Sequence, residues 1–165
     1  MIKMKLTPFL FLLTIQTTWA QDCTMRPAPI DFKRLTRDHS IRSYVVDANR
    51  LAVTVLLKNG HAFRLIHEGC MHSGAEATLW LPHSTRGVES ESEWIQEAVK
   101  FSRVAFSPDV ARDIDGSIKL GKLKIDTKSN ARLVLSASPS EFFTYTIIVV
   151  PSEQGMMMKI TYILG

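Results

Sequence analysis

Between Ile41 and Leu81 apolar and polar residues alternate in short runs: Ile41–Val46, Leu51–Lys58, His61–His67 and Gly74–Leu81. Alternation with a period of two marks strands that turn one face to a core. Asn59-Gly60 joins the second run to the third, and both central positions of a two-residue hairpin turn must accept positive φ, which this dipeptide does. Pro82 ends the fourth run.

The period then changes. Trp94, Ile95, Ala98, Val99, Phe101, Ala105 and Phe106 recur three and four apart, a wide apolar stripe on one side of a helix. Ser90 and Glu93 sit at capping-box spacing before it, with acidic residues in the first turn where the helix dipole favours them. This predicts the main helix over about 91–106. Ser107-Pro108 restarts a helix and Gly116 should stop it, giving a short second helix over 109–115.

Strand patterns return at Ile118–Ile125, Ala131–Ala137, Phe142–Val150 and Met156–Leu164. Phe142–Val150 is apolar in both phases, so it is expected in the centre and covered on both faces. Lys119, Lys122 and Lys124 suit an edge strand, where charge discourages pairing with other chains. Strands, helix, then strands predicts an α+β fold: an antiparallel sheet of about six to seven strands with one main amphipathic helix packed on it. No repeat or linker divides it, so residues 41–165 form a single domain. Residues 21–40, with Pro27 and Pro29, read as an extended N-terminal arm.

The first twenty residues alter the remaining arithmetic. Lys3 and Lys5 precede an apolar stretch, and Thr18-Trp-Ala20 closes it, which is the layout of a secretory signal peptide over 1–20. Losing both lysines takes the formal charge from +4 to +2, too little for a nucleic-acid partner. The leader's apolar core, broken by Pro8, is shorter than the roughly 20 residues a spanning helix needs. Two residues separate Ala20 from Cys23, so a lipidated first residue is not expected, and no membrane anchor remains after signal removal. No Asn-x-Ser/Thr sequon occurs. The expected compartment is the periplasm, with release outside the cell as the alternative.

An oxidising compartment makes Cys23 and Cys70, the two cysteines of the chain, a disulfide pair. The bridge would close a loop of about 48 residues and contribute about 3–4 kcal/mol in the chain-entropy account. It would also pin the arm to the domain and stiffen the segment Glu68-Gly-Cys-Met-His-Ser-Gly74. Glu68, Met71, His72 and Ser73 are therefore the candidate binding loop, carried between two strands where recognition residues tend to sit.

A competing reading gathers His67, Cys70 and His72, with His61, around zinc or copper. It requires Cys70 to be a free thiolate. No nucleophile elbow, metalloprotease helix or phosphate-binding loop is present, so neither catalysis nor a cofactor is expected. The expectation is an exported small binding protein, most concretely an inhibitor or immunity-type protein acting on another protein or envelope macromolecule. A metal-binding periplasmic protein is the alternative. The exported protein should have an intact mass that begins at Gln21 and is two hydrogens below that of the dithiol. A mass retaining residues 1–20, or two alkylatable thiols, would refute the leader or the bridge respectively.

Overall fold

The structure, a computed structural model, describes residues 27, 29–69, 73–82, 90–119, 124–125, 131, 133–140 and 143–164. Helix α1 (Phe32–Arg37) precedes four strands, β1 (Ile41–Val46), β2 (Ala52–Leu57), β3 (Ala62–Gly69) and β4 (Ser73–Pro82). Helices α2 (Glu91–Ala105) and α3 (Pro108–Lys119) follow. Four more strands complete the chain: β5 (Lys124–Ile125), β6 (Leu133–Ser140), β7 (Phe143–Ser152) and β8 (Gly155–Leu164). All pair antiparallel in one eight-stranded sheet of order β1-β2-β3-β4-β8-β7-β6-β5.

That order reads the same from either edge. Two four-stranded meanders, the first preceded by α1 and the second by α2 and α3, meet along a ten-pair seam from Ser73–Leu164 to Pro82–Gly155. Near each end of this seam one position has no room for a side chain. A Cβ on Gly74 would lie 2.5 Å from the Tyr162 carbonyl oxygen. On Gly155, already at φ +146, it would lie 2.9 Å from Pro82 Cα and closer still to the Leu81 carbonyl oxygen. Glycine is what the close approach requires.

The helices pack on one face. Val53, Val55, Phe63, Leu65, Ala77 and Leu79 from the first meander are buried with Leu135, Tyr145, Ile147, Val149, Met158 and Ile160 from the second. Trp94, Ala98, Phe101 and Ala105 of α2 and Ile114 of α3 close over them. The Phe63 and Phe101 rings meet edge to face at 5.5 Å. The α2 stripe and its Ser90–Glu93 capping box are present as the sequence predicts.

Four features depart from expectation. The arm is not extended throughout: Asp31 accepts from the Arg34 N–H at 3.1 Å and starts α1, and Ile30 and Leu35 are buried. Helix α3 runs through Gly116 to Lys119. There the glycine meets open space, while Ser117 is buried and Ile118 packs against the core. An Asp115–Lys119 ion pair at 2.9 Å spans the same turn and, with that packing, opposes a glycine cost of about 1 kcal/mol. The strand expected from Ile118 is therefore confined, among the described residues, to Lys124–Ile125, at the sheet edge as its lysines suggest. Finally, β7 lies inside the sheet but only one of its faces is covered. Tyr145, Ile147 and Val149 are buried, whereas Thr146, Ile148 and Val150 remain partly exposed and Thr144 fully so.

One polar contact fastens α3 to the sheet. The Tyr145 hydroxyl donates to the Asp113 carbonyl at 2.8 Å and meets the Ser117 hydroxyl. Burial pushes the Tyr145 phenol above its ordinary value, as it does that of Tyr162. A raised folded-state pKa means the neutral phenol contributes stability fully present below about pH 10 and lost as the pH rises through the folded value. Tyr145→Phe should therefore cost about 1–2 kcal/mol at neutral pH. It should also make the fall of stability above pH 10 shallower, as read by urea unfolding across pH. An unchanged alkaline slope would remove Tyr145 from the account.

Candidate functional site

His61 stands at the Asn59-Gly60 turn just before β3, and His67 lies near the other end of that strand. Six residues of strand put about 20 Å between them, so they do not share a metal ion. Glu68 is exposed, and Gly69 pairs with Ser73 to close the β3–β4 hairpin. Cys23, Cys70, Met71 and His72 lie outside the described residues. Among the described residues, no group of three His, Cys, Asp or Glu side chains is placed to hold a metal.

His67 is on the helix side of the sheet, in a cavity of about 210 Å³ shared with Pro29, Ile30, Arg34, Phe106 and Tyr162. The arm and the base of the β3–β4 hairpin thus line one space. Arg34 controls that space. Its guanidinium donates to the Val104 carbonyl at 2.7 Å, to that of Phe106, and at 3.5 Å to that of Arg103. These belong to the last turn of α2, whose carbonyls have no partners within the helix. The negative end of the helix dipole favours a cation there. Burial lowers the Arg34 pKa, opposed by nearby Asp31 and Asp38, and the side chain keeps its charge throughout the accessible range. This is a positioning contact that fixes α1, and with it the arm, against α2.

The second surface is the uncovered face of the sheet. Thr54, Arg64, Thr78, Lys159 and Ile148 are successive cross-strand partners across it. Ala62, Trp80, Met157 and Val150 form the next row. Ile66, Glu76, Thr161 and Thr146 form a third. A fourth row, Glu68, Gly74, Ile163 and Thr144, reaches the hairpin end that carries the expected binding loop. Two ion pairs lie on this face, Lys159 with Glu76 at 3.0 Å and Arg64 with Asp47 at 2.8 Å, and the exposed Glu68 stands at its hairpin end. What remains is apolar and hydroxyl surface, with Trp80 40%, Ile163 43% and Val45 71% exposed.

Sequence reasoning singled out the hairpin loop but not this face. The signal was there in the second phase of each strand, where threonine and apolar residues outnumber the charged Arg64, Glu68, Glu76 and Lys159. No family model, no curated protein and no solved structure matches the chain. Arg34→Met should lower stability by about 2–4 kcal/mol, because it strips three carbonyls of their donor. Arg34→Lys should recover only part of it, since one ammonium cannot span the fork. Equal stability of all three proteins in chemical unfolding would show that α2 needs no cap from α1.

Proposed function

We propose that the protein is an exported binding protein of the inhibitor or immunity type, which recognises another envelope protein through the open sheet face and the adjoining β3–β4 hairpin end. The observation that carries this reading is the one-sided cover of the sheet. On the side without helices, Trp80, Met157 and Val150 stand in one row across β4, β8 and β7 with Ile148 in the next, and Ile66 and Ile163 stand in the two rows beyond, so the apolar residues span four strands. Apolar and hydroxyl surface of this kind, with its two lysine and arginine cations paired to carboxylates, suits a flat protein partner better than a polyanion. The hairpin end extends the face through Glu68 and Ile163, and Glu68 and Ser73 of the candidate binding loop flank that end.

Export and the Cys23–Cys70 bridge belong to the same proposal. Pro29 and Ile30 line the cavity that His67 lines. Six residues of chain from Pro29 reach about 20 Å and three from His67 about 10 Å, so chain length permits a Cys23–Cys70 bridge. A bridge there would hold the hairpin loop rigid beside the open face. It would also leave Cys70 without a thiolate, which disfavours the metal reading.

A photo-reactive phenylalanine analogue at Thr78, in the protein expressed with its leader, tests the proposal. A defined protein adduct is expected, one that Trp80→Glu abolishes while moving stability by less than about 1 kcal/mol. No adduct, or one that survives Trp80→Glu, would overturn it. Stoichiometric zinc or copper in the purified protein, lost in His72→Ala, would establish the metal-binding alternative instead.

A further inference from the structure

At the end of the sheet opposite the β3–β4 hairpin, α2 does not close fully against the β2–β3 turn. A cavity of about 340 Å³ remains, at the small end of the range typical of small-molecule sites. Its floor is apolar: Leu57, Leu79, Phe101 and Val104. The first three are buried members of the core, so the floor is rigid. Its mouth is polar and mostly cationic, with Lys58 and His61 on the turn side and Glu97 and Lys100 on α2.

The turn fixes what His61 offers. The Asn59 carboxamide oxygen accepts from the His61 backbone N–H at 3.0 Å, which orients the amide. Its nitrogen then faces His61 Nδ1 at 3.2 Å. That nitrogen can only donate, so Nδ1 accepts and the ring proton of neutral His61 sits on Nε2. Glu97 is matched by Lys100 at 3.6 Å. Among the described residues Lys58 has no carboxylate within ion-pair distance, and its backbone N–H is held by the Ser40 carbonyl at 2.8 Å. The mouth therefore has one uncompensated ammonium and a fixed N–H donor over an apolar floor.

We infer that this cavity binds a small amphipathic carboxylate, with the alkyl or aryl part against Leu57, Leu79 and Phe101 and the carboxylate held by Lys58 with help from His61. The complementarity runs both ways: an apolar tail for an apolar floor, and one negative charge for the ammonium of Lys58, unmatched among the described residues. The site is separate from the open sheet face, and neither proposal depends on the other.

Decanoate and decyltrimethylammonium, both below micelle formation, share a tail and differ in charge. Added to the full mature protein with carbon-13-labelled methyl groups, decanoate should shift the Leu57, Leu79 and Val104 signals saturably. Decyltrimethylammonium should bind about tenfold more weakly or worse. Lys58→Gln, on an exposed turn, should weaken decanoate about fivefold without changing the melting temperature, and Glu97→Gln should strengthen it. The inference fails if those methyls do not shift, if the two amphiphiles bind alike, or if Lys58→Gln binds decanoate as the wild type does.

Discussion

The seam between β4 and β8 turns two four-stranded meanders into one sheet, and every other contact presupposes it. Helix α2 lies over residues from both halves, so its apolar stripe has no complete surface to cover until the seam is closed. The seam in turn rests on two glycines. At Gly74 and Gly155 the neighbouring strand comes so near that a Cβ would run into backbone rather than into a movable side chain. Backbone cannot step aside cheaply in a close-packed interior, so positions 74 and 155 tolerate no enlargement.

Much of this was legible in local patterns. Asn59-Gly60 announces a hairpin, Ser90 with Glu93 announces a helix start, and alternation from Ile41 to Leu81 announces strands facing one core. These signals depend on neighbours in the chain. What could not be read depends on distant partners. Ile118 and Lys119 alternate with their neighbours as strand residues do, yet tertiary packing of Ser117 and Ile118 keeps them helical past Gly116. Phe142–Val150 looks like a strand buried on both sides because its residues are apolar in both phases. Only the placement of the helices shows that Ile148 and Val150 face outward.

The candidate surfaces divide in the same way. The hairpin loop drew notice because histidine, cysteine and glutamate cluster there in sequence, but His61 and His67 sit at opposite ends of one strand. Arg34 gave no sign of its role, because the carbonyls it caps belong to residues some seventy positions later. The open face is dispersed too: Trp80, Met157 and Val150 become neighbours only once β4, β8 and β7 are paired. Composition in the outward phase was the one clue, and it needs the sheet order before it can be interpreted.

The two-part construction has a consequence for how the chain assembles with itself. Strands β4 and β8 are each other's cover, and before they meet each half ends in a ten-residue unpaired edge. The register that joins β4 to β8 within one chain is equally satisfied between two chains, since the bonds and the two glycine contacts are identical. At high concentration the C-terminal meander of one molecule can complete the N-terminal meander of another and receive the reciprocal half in return. An exchanged dimer of this kind would preserve every core contact described within a half and across the seam, differing only in the course of the chain between β4 and α2.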